Sequence, residues 1–158
     1  MALIYIKILD RRLYAKNLNT GAVFDEASVV AMRGNATGPR AVIAVGEAAN
    51  LLTISDDVRK HSPFEDHPRV ILDDFEAGSA LFKSAIKKVA GRSFFAPRVI
   101  IHVDRTPPGG VSVIERKALM ELAQSAGARD VKILLPDAVA QSALSQDALE
   151  ESLKKAFG

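Results

Sequence analysis

The sequence predicts an α/β fold. Strand-sized apolar runs open the chain and return, alternating with helical stripes, through its second half. The length of 158 residues, with 48% hydrophobic and 25% charged residues, suits one compact domain spanning 1–158. A chain of that size buries about 70% of its extended surface.

Leu3 to Leu9 is rich in Ile and Leu, and Arg12 to Lys16 follows the polar Asp10-Arg11 step, which predicts a tight hairpin. Turn residues from Asn17 to Gly21 precede Ala22-Val23-Phe24, and Ser28 to Met32 adds one more β-prone run. Residues 33–69 are less regular, punctuated by Gly34, Gly38-Pro39 and Pro63. They are expected to form a small appendage or mobile lobe holding a short strand over Val42 to Val45 and one or two helical turns over Glu47 to Leu52.

Asp73-Asp74 is placed to cap a helix whose Phe75, Phe82, Ile86 and Val89 recur at helical spacing, with Gly91 as its terminator. Arg98 to Val103 reads as a buried strand. Val113 to Ala126 carries Ile114, Ala118, Leu122 and Ala126 on one helical stripe, ended by Gly127. A strand over Val131 to Leu135 and a helix over Asp137 to Leu144 continue the alternation. Residues 145–158 predict an amphipathic helix in which Leu149, Leu153 and Phe157 stand four apart, with Lys154-Lys155 suiting the negative end of its dipole. Two uses of that stripe are weighed: packing on the domain's own sheet, or docking on a partner.

Several classes of function are excluded early. The chain has no Cys, so disulfides, thiolate metal sites and cysteine nucleophiles are absent. Lys plus Arg total 21 against 19 Asp plus Glu, a formal charge of +2 that gives no bulk attraction to nucleic acid, and no nucleic-acid partner is expected. The apolar runs fall short of a membrane span, and the start MALIYIKILDRRLY lacks the pattern of a signal peptide, so the expected location is cytoplasmic. His61 and His67 sit among Asp56, Asp57, Glu65 and Asp66 without the spacing of a metal motif, and no metal is expected. His102, inside an apolar strand, is read as a hydrogen-bonded or cleft-facing residue. Neither Ser112 nor Ser125 lies in a nucleophile elbow. A nuclease reading requires Asp10, Asp73, Asp74 and Asp104 to converge on metal ions.

Four stretches, LYAKNLNTGAVFDEASVVAMR, AVIAVGEAANLL, PRVIIHV and IERKALMELAQSAGARDVKILLPDAVAQSAL, resemble in content and order the rod-shape-determining bacterial actin family, the MreB-like proteins. The resemblance implies the actin-like, ribonuclease-H-like domain I, a mixed β-sheet with flanking helices and a small subdomain inserted around residues 33–69. It also implies a cleft for ATP and Mg between two large domains, of which a chain ending at Gly158 is expected to lack the second. In that family an Asp-x-Gly-Thr type turn joins strands one and two, where glycine lets the backbone approach phosphate. The matching segment here, Ile6 to Arg11, has no Gly, Ser or Thr.

The resemblance therefore implies a degenerate nucleotide site, no bound cofactor and little intrinsic ATPase activity. Glu115 matches the acidic residue at the family's ERRA-type helix start, associated there with positioning the hydrolytic water, and is kept as the weak catalytic alternative. Lys7, Arg11, Asp10 and Asp104 are the weak alternatives for cofactor binding. Asp104, Arg105 and Gly109-Gly110 lie in a remodelled loop, and Pro136-Asp137-Ala138 replaces an acidic Glu-Pro motif. Ser93 to Arg98 resembles the exposed apolar loop with which these proteins touch the inner membrane. That makes Phe94 and Phe95 candidates for weak peripheral contact, with Lys87, Lys88, Arg92 and Arg98 nearby; the competing reading has one Phe closing the sheet edge.

The leading expectation is a non-catalytic actin-like structural or protein-interaction module, associated with full-length MreB-like filaments and cell-shape control. One alternative is an ATP/Mg-binding or hydrolysing domain completed by a partner chain. The other is a self-assembling structural protein, with Leu149, Leu153 and Phe157 as a homo-oligomer interface.

Overall fold

A computed structural model describes residues 1–35, 37–105, 107–135 and 145–158. The Ile- and Leu-rich opening forms β1 (Leu3–Leu9), and the Asp10-Arg11 turn returns the chain as β2 (Arg12–Asn17) and then β3 (Val23–Ala27). β1 sits at the centre of a five-stranded sheet of order β3-β2-β1-β7-β8, where β7 is Arg98–Val103 and β8 is Asp130–Leu134. β2 and β3 run antiparallel, whereas β7 and β8 lie parallel to β1, so the sheet is mixed.

A second sheet follows β3, with β4 (Val30–Arg33) between β5 (Ala41–Val45) and β6 (Val58–His61), both antiparallel to it. α1 (Glu47–Leu51) lies between β5 and β6. The small sheet thus begins at Val30, ahead of residue 33, because β4 continues the chain directly from Ser28.

Helices cover both faces of the main sheet. α2 (Phe75–Ala90) and α3 (Val113–Ser125) pack on one face, over Ile4, Ile6, Ile8, Val99, Ile101 and Val103. α4 (Gln146–Phe157) covers the other, over Leu3, Tyr5 and Ile100. Strict alternation along β1 and β7 produces two cores from one sheet, since successive side chains point to opposite faces.

The caps follow the sequence logic. Asp74 accepts the Ala77 N–H at 3.0 Å at the start of α2, and Gly91 closes that helix at φ 63°. Ser112 and Glu115 form a reciprocal capping box on α3, and Ser145 caps α4. Gly78 brings α2 close to its neighbours: a Cβ there would press on the side chains of Leu72 and Leu122.

Two helical faces differ from expectation. In α3 the buried residues are Leu119, Leu122 and Ala123, while Ile114 is 79% exposed. Steps of four overshoot a turn by about 40° each, so a strict i+4 series winds off the buried face. In α2, Phe82, Ile86 and Val89 are buried but Phe75, in the first turn, is exposed. The expected helix over Asp137 to Leu144 lies outside the described residues.

Candidate functional site

The β1–β2 turn lies at the carboxyl end of β1, where parallel sheets commonly carry their ligands. Arg11 occupies it with φ 55°, the left-handed region that glycine adopts without penalty. Its N–H donates to Oε1 of Glu65 at 3.2 Å. The hydroxyl of Ser28, fully buried, lies 2.8 and 2.9 Å from the two oxygens of the same carboxylate. Ser28 is itself fixed by its N–H donating to the Arg11 carbonyl at 3.2 Å. Burial pushes the Glu65 carboxyl above its ordinary range, partly opposed by the Ser28 hydroxyl and the Arg11 amide. A cavity of about 370 Å³ opens beside this contact, lined by Arg11, Ser28, Asn50, Ser62, Glu65 and Asp66 among others.

Glu65 belongs to the connector that runs from β6 to α2, and two more side chains grip that connector. The Arg105 guanidinium donates to the carbonyls of Phe64 at 2.6 Å and Val70 at 3.1 Å. Glu115 accepts the Ile71 N–H on Oε1 at 3.0 Å and the Ser112 N–H on Oε2 at 2.8 Å. Burial raises the Glu115 carboxyl, but the Ser112 and Ile71 amides outweigh it and leave the group below its ordinary range.

The remaining cleft candidates fall into a different cluster, beneath the start of α4. Lys7 is drawn into this cluster: its ammonium lies 3.5 Å from Asp104 and 3.3 Å from Oε1 of Gln146. His102 is buried and shares a short hydrogen bond between its Nδ1 and the Tyr5 hydroxyl. Its Nε2 has no hydrogen-bond partner among the described residues and stands 3.7 Å from Asp104. Burial lowers the His102 pKa, with Asp104 opposing and Lys7 reinforcing the shift; burial likewise raises that of Tyr5. Asp10 remains an exposed turn residue.

The acidic and histidine residues of the irregular region do not gather. His61 Nδ1 lies 3.3 Å from Asp74, whose two oxygens are held by Arg40, and His67 accepts the N–H of Arg69. Among the described residues no group of three His, Asp or Glu is arranged to hold a metal ion. Asp137, of the altered Glu-Pro motif, lies outside the described residues.

The 93–98 loop projects from the fold. Phe94 is 102% and Phe95 69% exposed, so neither closes the sheet edge. Ser93 shapes the loop by accepting the Phe95 N–H and donating to its carbonyl. Of the four neighbouring cations, Lys87 and Arg92 are exposed, whereas Lys88 pairs with Glu26 and Arg98 donates to the Phe157 carbonyl.

The α4 stripe is turned the other way. Leu149 and Leu153 are buried against Leu3, Tyr5, Leu18 and Ile100, and Phe157 is partly buried there. They form the second core, so the stripe packs on the domain's own sheet, the first of the two uses weighed for it, and is not an exposed interface. Sequence reading places Glu65 only as one of several acidic loop residues and His102 as a hydrogen-bonded or cleft-facing residue, and misses their partners Ser28 and Tyr5, because only the fold brings together positions 37 and 97 apart.

Comparison with known proteins follows the same architecture. The MreB/Mbl protein family matches residues 10–147. The cell shape-determining protein MreB of Escherichia coli is 34% identical over 119 residues, covering 72% of this chain and 32% of that protein. The crystal structure of MreB5 of Spiroplasma citri bound to ADP aligns with a TM-score of 0.62 at 25% identity, over 84% of this chain and 38% of that one. A non-polymerising A278D mutant of MamK bound to AMPPNP gives a TM-score of 0.65 at 15% identity, over 85% and 40%. The chain spans about a third of the length of the curated relatives it matches, and its fold is actin-like, with the mixed sheet and flanking helices of the ribonuclease-H-like class.

Proposed function

The chain belongs to the MreB/Mbl family, and from that premise we propose that it works as a non-catalytic actin-like module, acting through contacts with full-length MreB-like filaments in cell-shape control. The observation that carries this reading is the position of Glu115. Both of its oxygens accept backbone N–H groups, one closing the α3 cap and one holding the connector at Ile71. A carboxylate fixed in that way is a structural brace, poorly placed to orient a hydrolytic water.

The ligand implied by family membership is a nucleotide with Mg, and the β1–β2 turn offers it a poor fit. An arginine occupies the left-handed position of the turn, and the donors facing Glu65, the Arg11 amide and the Ser28 hydroxyl, are already engaged by a carboxylate. Lys7 is likewise taken up by Asp104 and by Gln146. No step of nucleotide chemistry is derived through these residues.

The exposed Phe94-Phe95 pair supports a second element of the proposal, a weak peripheral contact with the inner membrane from the cytoplasmic side. Two rings beside Lys87 and Arg92 supply a small apolar tip and a little positive charge. Attachment by one such loop is weak, and binding along a filament multiplies it. Self-assembly through Leu149, Leu153 and Phe157 is not favoured, since those side chains are occupied within the fold.

The test is co-sedimentation with full-length MreB-like filaments, run beside an ATPase assay. Saturable pelleting with no intrinsic turnover is expected. ATP hydrolysis that disappears in Glu115→Gln would overturn the non-catalytic reading.

A further inference from the structure

We propose that Glu65 is an internal anion, standing where an oxyanion ligand would otherwise sit at the β1–β2 turn, and that it both closes this site and fastens the small-sheet connector to the main sheet. The inference deepens the non-catalytic reading above and rests on it.

The geometry is that of a small anion cradle with a resident occupant. One donor is a backbone amide turned outward by the left-handed Arg11, and the other is the hydroxyl of a fully buried serine. Both converge on one carboxylate, with two oxygens within 2.9 Å of the hydroxyl. Backbone amides in such turns form concave sites for oxyanions, and charge-assisted bonds of this kind are stronger than neutral ones. The carboxylate is kept there although burial disfavours its charge and Asp10 opposes it. Arg105 supplies the compensating charge from the far side while holding the carbonyls of Phe64 and Val70, so the residue before Glu65 is fixed independently.

The arrangement has a mechanical consequence. Glu65, Arg105 and Glu115 hold the connector at residues 64, 65, 70 and 71, and of the three only Glu65 reaches the β1–β2 turn. Removing its carboxylate leaves the other two grips intact. The cradle is then open to a tetrahedral oxyanion, and the adjoining cavity of about 370 Å³ exceeds the volume of a phosphate ion.

The experiment uses the full 158-residue chain, its Glu65→Ala and Glu65→Gln variants, and the double variant Ser28→Ala/Glu65→Ala. Each is titrated with inorganic phosphate and followed by amide NMR and calorimetry. The expected result is no saturable shift of the Arg11 amide in the parent. Glu65→Ala should gain at least about tenfold in phosphate affinity, equal to about 1.4 kcal/mol, and lose that gain when Ser28 is also replaced.

A pH titration of the parent keeps the proposal testable should Glu65→Ala fail to fold. The Arg11 amide should report a carboxyl titrating above the ordinary Glu range, and the response should vanish in Glu65→Gln. An Arg11 amide that does not sense the carboxyl overturns the proposal, as does a folded Glu65→Ala that binds phosphate no better than the parent. Filament co-sedimentation of the same proteins separates the two claims. Pelleting of the parent without any phosphate gain in Glu65→Ala sinks the internal anion alone, whereas saturable phosphate binding by the parent sinks the closed site.

Discussion

Arg40, ahead of β5, holds Asp74, the residue that caps α2, in a two-pronged ion pair at 2.7 and 3.0 Å. Its third nitrogen reaches Glu76 at 2.9 Å. One guanidinium therefore ties the small sheet to the helix that follows the connector. The side chains are 19% and 15% exposed, so the pair is largely shielded from water and salt.

Replacing Arg40 by Ala should cost about 2–3 kcal/mol in urea unfolding, since it strands a mostly buried carboxylate that also caps a helix. The cost should depend on pH. The hydrogen bond from Arg40 holds the Asp74 carboxyl below its ordinary value of 3.8. A depressed carboxyl pKa adds stability that is complete above the unfolded value and fades as pH falls through the folded one. The gap between parent and variant should be widest near neutrality and narrow below pH 3.8.

Gly46→Ala should destabilise the chain by about 2 kcal/mol or more. Its φ of 70° penalises any side chain, and a Cβ would overlap the Glu26 carboxylate, which accepts the Glu47 N–H and pairs with Lys88. Urea midpoints check the cost. The Gly46→Asn variant should lose at least as much as Gly46→Ala, because ψ of −138° lies outside the left-handed helical region that Asn tolerates and its Cβ meets the same carboxylate.

Tyr5→Phe should cost about 1–3 kcal/mol, because it leaves the buried Nδ1 of His102 without its partner. Burial depresses the His102 pKa below 6.5, with Asp104 opposing and Lys7 reinforcing. Folding thus favours the neutral ring, and this contribution is complete above pH 6.5 and declines as pH falls below it. Stability of the parent minus that of His102→Gln, measured by thermal unfolding from pH 7.5 downwards, should fall on the acid side of 6.5.

Phe94→Ser and Phe95→Ser should leave stability within about 0.5 kcal/mol, because both rings stand in solvent. The double variant should lose association with anionic lipid vesicles in a flotation assay. Undiminished flotation would assign the lipid contact to another surface.

Much of the main sheet was legible in the sequence, because its strands and helices are fixed by local pattern. The Ile and Leu alternation of β1, the VIIHV centre of β7, the Asp74 cap and the Gly91 stop each act within a few residues. The small sheet was only half visible: β5 and α1 carry recognisable runs, whereas β6, with sequence VRKH, reads as polar loop and becomes a strand only by pairing with β4. The site was the least legible part. Glu115 is conspicuous as a helix-start carboxylate, but its partner at Ile71 is set by the connector's path. Glu65 looks like one acidic loop residue among several, and nothing local distinguishes it until Ser28 and Arg11 are brought alongside.

The central claim is association with a filament without nucleotide turnover, and its most direct measurement is quantitative co-sedimentation of the folded chain with full-length MreB-like filaments from the same cell, against a control without filaments. The account predicts saturable, stoichiometric pelleting that needs the filaments and proceeds with no ATP hydrolysis by the chain. Absence of saturable binding to competent filaments, or pelleting that is equally strong in the control, would contradict it.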